Sequence, residues 1–195
     1  MQKNKLSTRS QARVISSLRT YFKFCEKQGL KVPRLDQLRQ PKVKVALPKP
    51  ITFEEFQLLY RACESEDVYR TARNQITLLL LFALGCRVSE LIHLDLQDFN
   101  QTDQWLRVVG KGGKERLVPL TDNLLNELKN YLKQVREHLT KDESNYAILI
   151  NDRGKRPSRV DIWRWLAHWS EKAGFSEPIS PHKFRHGCAT ALLES

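Results

Sequence analysis

Residues 105–120 read WLRVVGKGGKERLVPL, in which two short alternating segments flank a glycine-rich turn. Apolar residues that alternate with polar ones are typical of a β-strand with one buried face. Glycines at 110, 112 and 113 remove side chains from the turn, so it can approach another molecule closely. We therefore predict two antiparallel strands over residues 105–109 and 115–120, joined by a basic turn.

The sequence before and after this hairpin has apolar residues at helical spacing. Thr52 with Glu55 three residues later forms a capping box, and Gly85 and Gly174 follow predicted helix ends. The run AILI at 147–150 favours a short strand. Predicted helices cover residues 8–29, 71–84, 88–94 and 158–173, and others begin near residues 52, 121 and 180. The pattern predicts a mainly α protein with a small antiparallel β-hairpin or sheet, an α+β fold.

A proline-rich stretch divides the chain. Residues 32–50 read VPRLDQLRQPKVKVALPKP and contain four prolines, which resist helix continuation. We predict an extended linker there, with a domain boundary near residue 48. The length of 195 residues suffices for one medium domain, or for a small domain with part of another.

The positive charge is concentrated before that boundary. Residues 1–49 contain 13 Lys or Arg and two acidic residues, whereas residues 50–195 contain 20 of each sign. A basic segment attached to a neutral domain favours a polyanionic partner, nucleic acid first, although a merely solvated basic surface has the same composition.

The sequence gives little support for a membrane protein, a secreted protein or a metal-dependent enzyme. The longest apolar run, residues 76–84, is shorter than the roughly 18–20 residues of a membrane helix, and the first residues lack a signal peptide. We therefore expect a soluble, cytoplasmic protein with no membrane partner. The cysteines show no zinc-ligand spacing, and no carboxylate cluster of the kind that holds Mg²⁺ lies near the four candidate residues named below, so no metal or cofactor is expected. The cysteines are expected to be reduced thiols: Cys25, Cys63, Cys86 and Cys188.

Four residues are candidates for chemistry: Arg87, Lys111, His182 and Arg185. Arg87 lies between apolar neighbours in ALGCRVSEL, where a half-buried guanidinium needs an anionic partner such as Glu90 or a phosphate. Lys111 occupies the hairpin turn. His182 and Arg185 are three residues apart in the first turn of a capped helix, where N–H groups favour an anion. Each has an ordinary alternative: a surface arginine, a solvated hairpin, or a chance HxxR.

Together these residues suit a phosphodiester. Two guanidinium groups can bind the non-bridging oxygens of a pentavalent transition state with paired N–H donors. A histidine can move a proton or donate to the phosphate, and a lysine can protonate the leaving oxygen. This combination predicts phosphoryl-transfer chemistry without a metal ion.

Three stretches resemble motifs of the tyrosine recombinase (phage integrase) family, most closely those of the bacterial Xer recombinases. ALGCRVSELIHLDLQDF (83–99) resembles the first arginine box, VVGKGGKERLVPL (108–120) the catalytic β-hairpin, and SPHKFRHGCATALLE (180–194) the HxxR box. The resemblance implies part of a helical, SAM-like core-binding domain with its linker over residues 1–47 and a catalytic domain over 48–195.

The resemblance also implies roles for individual residues. Arg87 and Arg185 would bind the scissile phosphate, Lys111 would be the general acid for the 5′ oxygen, and His182 would assist proton transfer. Glu90 would support the first box. Further DNA-binding candidates are Arg107, Lys114, Arg116, Arg153, Lys155 and Arg156.

The implied function is site-specific DNA recombination or integration through a 3′-phosphotyrosine, by four like or unlike protomers on two double-stranded DNA sites. The five tyrosines lie upstream of the HxxR box and outside any matching motif, so we nominate none as the nucleophile. We expect a chain truncated at both ends that lacks the nucleophile segment. The alternative is a non-catalytic DNA-binding remnant or regulator. An unrelated basic helical protein, such as a ribosome-associated factor, would leave the three ordered motifs unexplained.

Overall fold

The computed structural model describes residues 6–33, 41, 50–142 and 144–185. The chain divides into two units, Met1–Leu47 and Pro48–Ser195. Most of the predicted proline-rich linker lies outside the described residues. So do Cys188 and the part of the last predicted helix that follows residue 185.

The first unit contains helix α1, Thr8–Lys27, which agrees with the predicted helix over 8–29. Ser7 caps its start by accepting a hydrogen bond from the backbone N–H of Ser10, and Gly29 follows its end with a φ of 74°. Basic side chains are exposed along this helix and just beyond it. They are Arg9, Arg13, Lys23, Lys27 and Lys31.

Three helices open the second unit: α2 (Phe53–Ala62), α3 (Val68–Leu84) and α4 (Val88–Ile92). The predicted capping box of Thr52 and Glu55 is present at the start of α2. Helix α3 begins three residues earlier than predicted, because the side chain of Asp67 accepts hydrogen bonds from the N–H groups of Tyr69 and Arg70. Helix α4 ends two residues earlier than predicted.

A three-stranded antiparallel sheet follows, ordered β1 (Phe99–Asn100), β2 (Trp105–Val109) and β3 (Glu115–Pro119). The predicted hairpin is therefore confirmed, with β2 and β3 in a register that pairs Arg107 with Leu117. Its turn uses left-handed glycines, with φ of 76° at Gly112 and 75° at Gly113. Strand β1 was not predicted, because two residues are too few to show alternation.

The remaining helices are α5 (Asp122–Asn130), which continues through a π-helical segment (Tyr131–Arg136) into α6 (Glu137–Leu139), and α7 (Arg159–Lys172). Ser158 caps α7 as predicted. Residues 181–185 are also helical. The mainly α fold with a small antiparallel sheet is thus confirmed. No helix in these described ranges is long and apolar enough to cross a membrane.

The strand predicted over residues 147–150 was wrong. Within the run, only Ala147 forms a β-bridge, an isolated one to Asp95. The four side chains are nonetheless fully buried. Other backbone groups of the run also bond to distant segments: the Ile148 N–H donates to the Leu94 carbonyl oxygen at 2.9 Å, and Arg136 Nε donates to the Ala147 carbonyl oxygen at 2.8 Å. The apolar run therefore reflects burial in the core rather than membership of a sheet.

The core of the second unit forms among its helices and the inner face of the sheet. Phe184, in the helical segment 181–185, is fully buried in it. Because His182 and Arg185 flank this anchor, the packing of one aromatic ring fixes the segment that carries them. The cysteines of the described ranges are free and buried, namely Cys25, Cys63 and Cys86.

Candidate active site

Arg87 is positioned by the turn between α3 and α4. Gly85 ends α3 in the left-handed conformation, and Arg87 is the residue that precedes α4. Its Nη1 donates to Glu90 Oε1 at 2.7 Å, and its backbone N–H donates to Glu90 Oε2 at 3.1 Å. Because the Glu90 side chain is only 3% exposed and that of Arg87 is 48% exposed, the carboxylate fixes a guanidinium that still faces solvent. The ion pair that the sequence allowed is present.

Arg185 reaches the same turn from the other end of the unit. Its segment is held by the buried Phe184 and by a 3.2 Å hydrogen bond from the Ile51 N–H to the Lys183 carbonyl oxygen. Arg185 Nη1 donates to the Gly85 carbonyl oxygen at 3.2 Å and lies 3.9 Å from Glu90 Oε2. Two arginines from separate motifs therefore meet at one carboxylate.

A cleft of about 190 Å³ opens beside this carboxylate. Three of the four candidate residues line it, namely Arg87, His182 and Arg185. The rest of the wall consists of Cys86, Val88, Ser89, Arg159, Trp163 and Pro181. The structure thus brings the first arginine motif and the HxxR motif together.

Lys111 does not line the cleft; it lies exposed in the turn of the hairpin. The base of the hairpin nevertheless touches Glu90. Arg116 Nη2 on β3 donates to Glu90 Oε2 at 3.0 Å, and a Cβ placed on Gly110 would lie 3.5 Å from Glu90 Oε1. The residue before Lys111 therefore lies beside the carboxylate.

The electrostatics of the cleft favour an anion. Burial raises the pKa of Glu90, but hydrogen bonds from Arg87 and then Arg116 outweigh it, so that the pKa lies below its ordinary value. One ionised carboxylate therefore faces three guanidinium groups, and the local charge is positive. Burial, reinforced by the charge of Glu90, raises the pKa of the Cys86 thiol to about 12, so this thiol is neutral.

This arrangement can bind a phosphate group. Arg87 and Arg185 are each partly exposed, so both have N–H donors available for oxygens in the cleft. His182 is exposed on the same wall, where it can donate or accept a proton. Across the described ranges, no cluster of three or more His, Cys, Asp or Glu could hold a metal ion.

The other predicted DNA contacts lie outside the cleft. Arg107 on β2 pairs with Asp98 at 2.7 Å, and Arg156 pairs with Asp95 and donates to a backbone carbonyl oxygen. Both guanidinium groups are therefore partly occupied within the molecule, as is Arg116. The candidates most open to solvent are Lys114, Arg153 and Lys155.

Two cleft residues were missed from the sequence. Arg159 and Trp163 lie four residues apart on α7, directly after its cap, and so share a face of the helix. Trp163 stays 44% exposed, which is unusual for so large an apolar side chain. The i, i+4 spacing behind a predicted helix start was the available signal, but nothing in the sequence links it to the arginine motifs.

Comparison with known proteins matches these motifs to one family. Residues 49–195 match the model of the phage integrase family. Tyrosine recombinase XerD of Staphylococcus epidermidis is 37% identical over 193 residues, which cover 97% of this chain and 64% of the relative. The chain therefore spans less than two thirds of the length of this relative.

Solved structures have the same fold. XerA recombinase aligns with a TM-score of 0.63 at 26% identity, over 96% of this chain and 62% of the other. XerH site-specific recombinase, bound to palindromic difH substrate in a post-cleavage complex, aligns with a TM-score of 0.75 at 21% identity, over 97% of this chain and 57% of the other. With the family model covering most of its length, the chain belongs to the phage integrase family, the tyrosine recombinases.

Proposed function

We propose that this protein acts in site-specific DNA recombination or integration, and that its cleft holds the phosphate at which a DNA strand is cut and rejoined. One observation carries the proposal. Arg87 and Arg185, which come from two separate motifs, meet at the buried carboxylate of Glu90 and line one cleft with His182. Two half-exposed guanidinium groups fixed in this way suit the non-bridging oxygens of a phosphodiester.

The proposed chemistry follows the family. A tyrosine oxygen attacks phosphorus, a phosphotyrosyl bond forms on the 3′ side, and the bond to the 5′ oxygen breaks. Lys111, in the hairpin turn, gives a proton to the departing 5′ oxygen, and His182 assists proton transfer. Arg87 and Arg185 balance the extra negative charge of the transition state. The phosphotyrosyl bond keeps the energy needed for rejoining, so no nucleotide cofactor is required.

The proposed partner is double-stranded DNA. The exposed basic side chains of α1, together with Lys114, Arg153 and Lys155, provide contacts to the phosphate backbone. We assign Met1–Leu47 to part of a core-binding domain and Pro48–Ser195 to the catalytic domain. We further propose that four protomers assemble on two DNA sites and that the protein acts in the cytoplasm. The XerH relative, which is bound to its difH substrate, supports the choice of DNA.

A non-catalytic DNA-binding protein is the second candidate function. The observation that favours it concerns the tyrosines, none of which lines the cleft as far as the structure describes it. They are Tyr21, Tyr60, Tyr69, Tyr131 and Tyr146. The two functions share the cleft and the basic surface, and they differ only in the presence of a nucleophile.

One experiment separates the two functions. Duplexes that bind the 195-residue chain are selected from a random library, given a single nick, and incubated with the chain and with its Arg185→Ala variant. Cleavage beside a nick releases a short fragment, so a covalent adduct accumulates and appears on a denaturing gel. An adduct lost in Arg185→Ala supports the recombinase. A shift on a native gel without an adduct supports the non-catalytic function, and failure to select any duplex contradicts both.

A further inference from the structure

We propose that Arg116 is a positioning residue that neutralises the buried carboxylate of Glu90 and so leaves Arg87 and Arg185 available for a phosphate. This inference rests on the proposed function of the cleft. It replaces the DNA-contacting role that the sequence predicted for Arg116 with a role inside the protein.

The first argument is how the oxygens of Glu90 are shared. Oε1 accepts from Arg87 Nη1, while Oε2 accepts from the Arg87 backbone N–H and from Arg116 Nη2 at 3.0 Å. Arg185 Nη1 remains 3.9 Å from Oε2, beyond hydrogen-bonding distance. Arg116 therefore occupies the acceptor position to which Arg185 would otherwise move.

The second argument is burial. Glu90 is 3% exposed, so water cannot replace a lost partner, and a buried charge without a partner is strongly unfavourable. If Arg116 were neutral, the carboxylate would draw Arg185 into direct contact and tighten its hold on Arg87. Both guanidinium groups would then offer fewer donors to an anion in the cleft.

The third argument is the position of the hairpin. The Gly110 N–H donates to the Lys114 carbonyl oxygen at 2.7 Å, and a Cβ on Gly110 would lie 3.5 Å from Glu90 Oε1. The base of the turn thus rests against the same carboxylate that Arg116 binds from β3. Arg116 is the charged contact by which the hairpin is held there, and Lys111 directly follows the glycine.

The test is a titration of the whole chain with inorganic phosphate. Binding is monitored by NMR through the Nε–Hε signals of Arg87 and Arg185. The variants are Arg116→Gln, Arg116→Lys, Glu90→Gln and the double variant Glu90→Gln/Arg116→Gln. Arg164→Gln is the matched control, because Arg164 also binds a buried carboxylate, that of Asp161, but does not line the cleft. Thermal unfolding of each variant shows whether it is folded.

We expect Arg116→Gln to weaken phosphate binding about tenfold, within the range for residues that share one network, and Arg116→Lys to restore most of it. In the Glu90→Gln background the Arg116→Gln change should have little further effect, because the charge through which Arg116 acts is gone. Arg164→Gln should bind phosphate as the unmodified chain does. If Arg116→Gln is poorly folded, Arg116→Lys and the double variant still show whether Arg116 acts through the charge of Glu90.

Two results would overturn the inference. One is an equal loss from Arg116→Gln with and without the Glu90 charge, which would mean that Arg116 contacts the anion directly. The other is no phosphate binding at Arg87 and Arg185 in the unmodified chain. The proposed function fails separately: a chain that binds phosphate at these arginines but selects no duplex DNA would refute DNA recombination and leave the role of Arg116 standing.

Discussion

Arg185 donates a hydrogen bond from its Nη1 atom to the carbonyl oxygen of Gly85, 3.2 Å away. Gly85 ends α3 in the left-handed conformation and introduces the turn that carries Arg87. The hydrogen bond therefore joins the two arginine-bearing segments through the backbone, in addition to their shared carboxylate on Glu90. The geometry of the cleft thus depends on both segments at once.

Removal of either guanidinium should weaken phosphate binding. Arg185 is partly exposed and lies beyond hydrogen-bonding distance of Glu90, so we expect Arg185→Ala to change the free energy of unfolding by about 1 kcal/mol or less. Arg87→Ala removes a hydrogen-bonded partner of the buried Glu90 carboxylate and should cost about 1–3 kcal/mol. Affinity for inorganic phosphate should fall roughly 10- to 100-fold, the loss of one or two charge-assisted hydrogen bonds. Urea unfolding and a phosphate titration measure the two quantities, with Arg164→Gln as the control. Unchanged phosphate affinity in either variant would contradict the assignment of the cleft.

The acid stability of the protein should depend on Glu90. Its pKa is below its unfolded value of about 4.3, because hydrogen bonds from Arg87 and Arg116 outweigh burial. The ionised carboxylate therefore contributes stability that is fully present above that value and is lost as the pH falls through the folded pKa. We expect Glu90→Gln to flatten the decline of unfolding free energy below about pH 4.5.

Glu115→Gln is the matched control for this pH dependence. Glu115 lies on the same hairpin and is 53% exposed, with Arg107 3.6 Å away. Surface ion pairs of this kind contribute little to stability. The Glu115 variant should therefore follow the unmodified chain at every pH. An equal flattening in both variants would assign the acid sensitivity to general charge repulsion rather than to Glu90.

Local features of this fold were readable from the sequence, since they depend on neighbouring residues. The capping box of Thr52 and Glu55 needs a spacing of three, and the hairpin over 105–120 needs alternation about glycines. Both are present. The motifs around Arg87 and Arg185 were readable as anion-binding candidates for the same reason, because burial and helix starts are local signals.

Long-range partners were not readable. Arg116 is one of several basic residues in and around the hairpin, and only the folded chain shows that it binds Glu90, 26 residues earlier. The run at 147–150 is apolar enough for a strand, yet it makes only an isolated bridge to Asp95 and the sheet forms without it. In both cases the deciding contact lies outside any sequence window, which is why spacing could not reveal it.

Gly85 and Gly174 offer a matched test of the turn before Arg87. Both residues follow helices and both have positive φ, 51° and 79° respectively. Replacement by alanine should cost about 1–2 kcal/mol of unfolding free energy at each position, because an L side chain is disfavoured there. Only Gly85→Ala should also weaken phosphate binding, since only Gly85 is hydrogen-bonded to Arg185. Equal phosphate affinity in the two variants would show that the turn does not position the arginines.

The buried thiols should be unreactive in the folded protein. Burial raises the pKa of Cys63 and of Cys86 to about 12 each, and both side chains are about 1% exposed. Because the thiolate is the reactive form, iodoacetamide at pH 8 should modify neither residue until the protein is unfolded with urea. Peptide mass spectrometry with and without urea measures this. Modification of Cys86 at the rate of a free thiol would mean that the turn beside Arg87 opens in solution.

Substitution of Phe184 should lower both the free energy of unfolding and the phosphate affinity of the cleft. It is fully buried and lies between His182 and Arg185 in the helical segment 181–185. Phe184→Ala should cost about 3–5 kcal/mol of unfolding free energy, whereas Phe184→Leu, which fills most of the space, should cost about 1.5 kcal/mol. Where Phe184→Leu stays folded, its phosphate affinity should fall a few-fold, because the anchor of Arg185 has changed shape.

Leu166→Ala is the control for the Phe184 series. Leu166 is equally buried on α7 but does not line the cleft. It should destabilise the protein by about 2–5 kcal/mol, while phosphate affinity in the folded fraction stays unchanged. If the two positions lowered phosphate affinity in proportion to lost stability alone, the cleft would depend on the general rigidity of the core. A loss confined to the Phe184 variants would show that this one ring sets the position of His182 and Arg185.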